Sequence, residues 1–402
     1  MTNLSQLFAA VAHKRLAAVD LPDAGSNQHE LNGSAALREF FGTVGETRGL
    51  ISWHYFAEDD EPAHIENSFT FYDARAKSAA RTRRSEWRFY YYGDFLSRAE
   101  EGDLLVLARS QSGKIFGLVF QRNSSWCRAG EIFFGLAETA PEFQQLTDQD
   151  LNTQKLHLLR QQILSELELD IQVPSARSDE DVIVEKFGEG FPTTRQMSDF
   201  ARSQTAADTD NADSALTTWL EREEQLFRAL ENTIIRKRLT VGFRSVDEFI
   251  EYSLSVQNRR KSRMGFALQN HLAEIFTRQR VRFSAQARTE GRNRPDFVFP
   301  GESEYRDPKF DPAFLLVLGV KSSAKDRWRQ VLVEADRIHD KHLCTLEAPI
   351  SEAQTEEMRR HHLALVIPSS LHQMYTSNQR LRILSVADFV ALIRQRQQQI
   401  YA

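Results

Sequence analysis

Cysteine is scarce in this chain: two among 402 residues, Cys127 and Cys344. Two positions so far apart are not expected to form a structural disulfide. By the same count a zinc site is not expected, and both points fit a reducing cytoplasm. Long apolar runs are missing as well. No stretch approaches the roughly 18 apolar residues that span a bilayer. Met1 to Leu16 lacks the early positive cluster and the cleavage site of an export signal; Leu4, Leu7, Phe8 and Val11 recur at helical spacing instead. Nor is there an excess of positive charge. Lys plus Arg number 51 against 56 Asp plus Glu, a formal net charge of -5, so bulk charge does not advertise a nucleic-acid partner and any such signal must be local. No internal repeat or low-complexity tract is present. What remains is an ordinary globular composition, in a chain long enough that two domains are expected.

The two halves differ in texture. Phe69-Thr70-Phe71-Tyr72, Trp87 to Tyr92, Leu104 to Leu107 and Ile115 to Phe120 read as strands, the last two joined by a hairpin at Ser110-Gln111-Ser112-Gly113. A helix is expected from about Gln154 to Leu167. The proline, serine and charge of Val173 to Asp179 mark a linker, placing domains at 1–172 and 182–402 with 173–181 between them. Beyond it, Trp219, Leu220, Leu226, Phe227, Leu230 and Ile234 fall at helical spacing. So do Val246, Phe249, Ile250 and Leu254, and then Leu268, Leu272, Ile275 and Phe276. Phe297-Val298-Phe299, Phe314 to Val320 and Leu363 to Ile367 are strands, the last two continuous enough to be covered on both faces. The order is that of an α/β domain.

Within that domain, Pro295-Asp296 heads one apolar strand and Lys321 closes another. Glu334 falls inside an expected helix whose apolar face is Trp328, Val331, Leu332, Ala335 and Ile338. Two carboxylates and a lysine so placed suit metal-dependent phosphodiester hydrolysis: Asp296 and Glu334 would hold Mg²⁺, and Lys321 would help deprotonate or orient the attacking water. On the expected helix Glu334 shares an edge with Arg327, two turns earlier. Each residue alone has a plainer reading: a turn for Pro295-Asp296, a solvated strand end for Lys321, a surface ion pair with Arg337 or Lys341 for Glu334. A basic span, Arg259, Arg260, Lys261, Arg263 and on through Arg278, Arg280, Arg282, Arg288, Arg292 and Arg294, reads beside such a site as a phosphate clamp.

The residues around these positions resemble the catalytic domain of the EcoRII-type restriction endonucleases. The resemblance runs from about Arg222 to His372. It is carried by Gly242 to Ile250, Asn258-Arg259-Arg260-Lys261-Ser262-Arg263, Pro295-Asp296-Phe297-Val298-Phe299-Pro300, Lys321 to Gln330, Glu334 to His339 and Ile367-Pro368-Ser369-Ser370-Leu371-His372. It implies a PD-(D/E)xK fold and Mg²⁺-dependent double-strand cleavage of DNA, with Asp296 and Glu334 as metal ligands and Lys321 as the catalytic lysine. The resemblance also assigns Lys325-Asp326-Arg327 to reading C:G pairs from the major groove. The chemistry agrees, since cationic side chains donate to guanine and a carboxylate accepts from cytosine N4. One departure stands out: where relatives often carry a further glutamate, this chain has Gln269. Glu274, on the same expected helix, points elsewhere by about 140°.

The N-terminal half resembles the effector domain of the same enzymes, a B3-like β-pseudobarrel. The matching pieces are Lys14-Arg15-Leu16, Gly25 to Gly33 and Arg81 to Arg88, which nominates Gln28, His29, Arg81, Arg83, Arg84 and Arg88 for contact with effector DNA. His361-His362 has no matching carboxylate cluster and reads as surface. The expectation is a cytoplasmic, homodimeric type II restriction endonuclease. It would cut double-stranded DNA at a CCWGG-like site, bind a second copy of the site through its N-terminal domain, and work beside a cognate cytosine methyltransferase. A DNA-binding regulator that has lost cleavage, favoured by Gln269, is the alternative. A repair nuclease of the same fold would leave the Lys-Asp-Arg run unexplained.

Overall fold

A computed structural model describes residues 4–22, 29–58, 63–76, 85–136, 142–147, 150, 177–188, 190–291, 293–322, 327–347 and 350–401. The chain divides into two compact units, Met1–Pro174 and Ser175–Ala402. The expected helix at 154–167 lies outside the described residues. Of the expected linker, residues 177–181 belong to the first helix of the second unit.

The first unit is mostly β. Its strands are β1 (Phe8–Arg15), β2 (Glu30–Asn32), β3 (Thr47–Phe56), β4 (Ala63–Asp73), β5 (Trp87–Tyr91), β6 (Leu104–Ser110), β7 (Ile115–Phe120) and β8 (Gln144–Gln145). They form one sheet in the order β2-β5-β4-β3-β7-β6-β1-β8, antiparallel except for β3 beside β7. The expected Ser110–Gly113 hairpin joins β6 to β7. Helix α1 (Leu4–Leu7) leads into β1, and α2 (Ala35–Phe41) follows β2 at one edge of the sheet. Yet α2 packs on β1 and β8 at the other edge, and its Phe41 ring lies 4.9 Å from Phe71 and 5.2 Å from Phe89. A helix that meets both ends of one sheet requires the sheet to curl around it. The concave side is filled by Leu31, Phe40, Trp53, Phe69, Phe89, Tyr91 and Leu107. Helix α3 (Ser125–Phe134) completes the unit on the far side, with Trp126 against Phe56.

The second unit is α/β. Four helices come first: α4 (Arg177–Phe187), α5 (Thr194–Ser203), α6 (Ala212–Val241) and α7 (Val246–Arg278). The two apolar sets expected at 246–254 and 268–276 thus lie on one continuous 33-residue helix. A five-stranded sheet follows, built from β9 (Ser284–Ala285), β10 (Phe297–Phe299), β11 (Leu316–Lys321), β12 (Lys341–Thr345) and β13 (Leu363–Val366), in the order β13-β12-β11-β10-β9. The β11-β12-β13 part is parallel, and β9 and β10 run antiparallel.

Alternation along β10 sorts its side chains between two cores. Phe297 and Phe299 meet Phe276 of α7 at 5.2 and 5.1 Å, whereas Val298 joins Val317, Tyr305, Ala335 and Ile338 on the opposite face. Gly319 in β11 lets the short helix α8 (Trp328–Leu332) approach closely, since a Cβ there would lie 2.6 Å from Val331. None of the described helices is long and apolar enough to cross a membrane.

Candidate active site

Asp296 precedes β10 and is 6% exposed, and its carboxylate ties three segments together. Oδ1 accepts from Gln269 Nε2 of α7 at 2.8 Å and from Gln286 Nε2 at 3.0 Å; Oδ2 accepts from the backbone N–H of Val320 at 2.7 Å. Lys321, the last residue of β11, brings Nζ to 3.5 Å from the same Oδ2. The adjacency follows from the sheet: Phe297 pairs with Leu318, so the residue before β10 faces the end of β11. The aspartate and the lysine read from sequence are therefore neighbours.

Glu334 also reaches this cluster, but not from a helix. Helix α8 stops at Leu332, Glu334 sits in the turn beyond it, and Ala335 takes a left-handed φ of 55°. The apolar spacing of Trp328, Val331, Ala335 and Ile338 looks helical, yet the carbonyls after the break are satisfied by a side chain. Lys341 Nζ donates to the carbonyls of Glu334, Ala335 and Ile338 at 2.6, 2.9 and 2.8 Å. The shared helix edge expected for Arg327 and Glu334 does not exist, because Arg327 caps the start of α8 and Glu334 lies past its end. Burial holds the Glu334 carboxyl above the usual range; Lys321 opposes this and Asp296 adds to it. Its Oε2 is buried without a hydrogen-bond partner.

These residues fit a hard divalent cation. Asp296, Glu334 and the amide of Gln269 offer oxygen donors, as Mg²⁺ requires, and a buried carboxylate oxygen lacking any donor is costly unless a cation completes it. Gln269 occupies this cluster as the position of the missing glutamate suggested. Gln286 was not foreseen: it lies just after the two-residue β9 with φ at 50°, and no pattern in its neighbours marks it.

The basic span is less available than its composition implies. Arg263 is buried, paired with Glu224 and 3.6 Å from Glu223 of α6, so it is an internal tie and not a phosphate contact. Arg260 is ion-paired with Glu231, and Arg278 with Glu274. Lys261 lies on α7 between them. Arg259 differs: its guanidinium covers the Phe191 ring at 3.9 Å and lines an open groove with Ser255, Asn258, Ser262 and the exposed Arg327. That groove gathers the two ends of the expected DNA-facing set. Lys325 and Asp326 lie outside the described residues, as do Gln28, Arg81, Arg83 and Arg84. In the first unit, Arg88 is engaged by Glu30, Glu86 and Asn32, and His29 rests edge-on to Tyr91 at 5.6 Å.

Residues 227–390 match the family model described as EcoRII C terminal. The type II restriction enzyme EcoRII of Escherichia coli is 41% identical over 202 residues, which is 50% of this chain and 50% of that enzyme, so the chain spans about half the length of the curated relative it matches. Among solved structures, metal-depleted Ecl18kI in complex with uncleaved, modified DNA aligns with a TM-score of 0.46 at 16% identity, covering 57% of this chain and 87% of that one. A complex of restriction endonuclease PspGI with substrate DNA aligns at 0.41 and 14%, covering 56% and 94%.

Proposed function

We propose, because residues 227–390 match the family model described as EcoRII C terminal, that the protein is a type II restriction endonuclease that makes Mg²⁺-dependent double-strand breaks in DNA. The observation that carries this reading is the convergence of Asp296, Lys321 and Glu334 from three separate segments on one buried cluster. A regulator that had lost cleavage would have no use for a lysine held 3.5 Å from a buried aspartate beside a second carboxylate.

In this reading Asp296, Glu334 and the Gln269 amide oxygen would hold the cation, which would supply Lewis-acid polarisation of the scissile phosphate. The chain's own residues supply the rest. Val320 N–H and Gln286 fix the Asp296 carboxylate before substrate arrives, so its geometry is pre-organised. Lys321 donates from Nζ to the attacking water and to the phosphate oxygen that gains charge. Water adds to phosphorus, the 3′-oxygen departs with a proton, and the ends are 5′-phosphate and 3′-hydroxyl. Recognition belongs to Lys325, Asp326 and Arg327, of which Arg327 lines the groove with Arg259. The site proposed is CCWGG-like, and the central pair rests on the resemblance alone.

Three partners belong to the proposal. Val246, Phe249, Ile250 and Leu254 form one stripe of α7 and are all exposed, as are Leu239 and Val241 at the end of α6. A helical stripe left uncovered within the unit supports a homodimer through this hairpin. The curled N-terminal sheet would bind a second copy of the DNA site as effector, and a cytosine methyltransferase would protect host DNA.

Plasmid cleavage with Mg²⁺, comparing wild type with Lys321→Ala and sequencing the ends, tests the reading. Discrete fragments ending at one CC/GG-type sequence, reduced about 10²-fold or more by the substitution, are expected. DNA binding without cleavage by the wild type would transfer the assignment to the regulator.

A further inference from the structure

At the other end of the same sheet, His339, Asp340 and His362 come together outside the machinery described above. Asp340 and His362 are the residues just before the paired starts of β12 and β13, where Lys341 faces Leu363, and the Lys341 N–H donates to the His362 carbonyl at 2.8 Å. Parallel register therefore makes them neighbours, and His339 follows from its place beside Asp340. His339 Nδ1 lies 3.1 Å and His362 Nδ1 3.3 Å from the same Asp340 Oδ1, and the two imidazole rings are 3.9 Å apart. All three donor atoms fall within 4.8 Å of one another. His362 takes a left-handed φ of 56°, a conformation that asparagine, aspartate and histidine adopt more readily than other side chains. His361 and His362 are exposed, as read from the sequence; the carboxylate not matched to them there is Asp340, which precedes a different strand. The scarcity of cysteine bears only on thiolate sites.

We propose that His339, Asp340 and His362 form a second metal site, distinct from the Asp296 cluster and selective for a borderline divalent ion such as Zn²⁺. The spacing fits such an ion. Bonds of about 2.0–2.1 Å in tetrahedral geometry put neighbouring donors roughly 3.3–3.4 Å apart, close to the two nitrogen–oxygen separations observed. Two imidazoles and one carboxylate suit Zn²⁺ or Co²⁺ and not Mg²⁺, which prefers oxygen and retains water. The three side chains are 74%, 77% and 54% exposed, so a fourth position is open to solvent and the ion can enter directly. An ion here would pin the far end of the segment from Glu334 to Asp340, whose near end carries the active-site carboxylate. It would sit at the starts of the parallel strands, whereas Lys321 lies at the end of β11, about 13 Å away along the sheet.

The test is a Co²⁺ titration of the full chain in excess Mg²⁺, followed by visible absorption. Mg²⁺ occupies the oxygen-donor cluster and competes poorly for imidazole. One equivalent of Co²⁺ is expected, displaced by Zn²⁺. His339→Ala and His362→Asn should each weaken binding by about tenfold or more, the scale reached when even residues behind the ligands of a metal site are changed. Asparagine at 362 tolerates the left-handed backbone, and Asp340→Asn, a near-isostere, provides a third variant in which folding is not at issue. Absence of Co²⁺ uptake by the wild type, or equal uptake by the His339→Ala/His362→Asn double variant, overturns the proposal.

Discussion

Gln269 donates from Nε2 to Asp296 Oδ1 across 2.8 Å, so the residue flanking the strand-borne carboxylate is an amide and carries no charge of its own. Gln269→Glu replaces that donor with a second anion. Without divalent metal, the variant should be less stable than the wild type, because a second carboxylate then faces Asp296 Oδ1, which keeps only its Gln286 donor. With Mg²⁺, its melting temperature should rise by more than that of the wild type, because the added anion strengthens binding to the folded state. Thermal unfolding with and without Mg²⁺ reads both effects. Equal Mg²⁺ responses would place Gln269 outside the cation site.

Arg263 and Arg259 share a helix but not a fate. Arg263→Ala removes the buried cation between Glu223 and Glu224, leaving Glu224 to Arg228 and Glu223 to His271, and should cost on the order of 3 kcal/mol. Arg259→Ala should spare stability and instead lower the salt dependence of DNA binding by about one phosphate contact. Denaturant melts and binding isotherms at several salt concentrations separate the two, and a reduced salt slope for a folded Arg263→Ala protein would return that arginine to the DNA surface.

The exposed stripe on α7 makes a claim about assembly. Phe249→Asp places a charge in the middle of the proposed interface while leaving the monomer's core untouched, since Phe249 is 49% exposed. Sedimentation should shift from dimer to monomer at micromolar concentration. A variant that stays dimeric would locate the contact elsewhere.

A buried histidine sets part of the acid sensitivity. Burial lowers the His342 imidazole to about 4, with a bond to the Val317 backbone opposing the shift. The unfolded value is near 6.5, so the folded chain resists a proton that the unfolded chain accepts. The stability from this group is fully present above pH 6.5 and is lost as pH falls from there toward 4. Between pH 7 and 5 the loss should be about 2 kcal/mol. His342→Leu should flatten that part of the profile in denaturant melts at the two pH values, and an unchanged slope would assign the acid sensitivity to other groups.

Strand-borne features were the easiest to read in advance. Apolar runs at Phe297 to Phe299 and Leu316 to Val320 fix two adjacent strands, and the polar residues at their ends, Asp296 and Lys321, must then meet. Glu334 was placed on the right cluster by the wrong element. Helical spacing continues through Ala335 and Ile338, but spacing cannot reveal a left-handed residue at 335 or a lysine that captures the carbonyls. Arg263 was misread for a different reason. Its partners Glu223 and Glu224 lie some forty residues back on another helix, so a charge tally over one span counts the arginine and misses the acids. Gln286 and the His339–Asp340–His362 cluster depend on tertiary register, which no local pattern encodes.

The turn that carries Glu334 is organised around Lys341 much as a loop is organised around a bound ion, except that this ion is covalently tethered to the chain. Its occupancy is therefore fixed by chemistry at one side chain and not by concentration. Acetylating that amine, or exchanging it for a side chain without three divergent donors, would release the turn and displace a carboxylate seven residues away. Position 341 thus sets where the Glu334 carboxylate sits through backbone carbonyls alone.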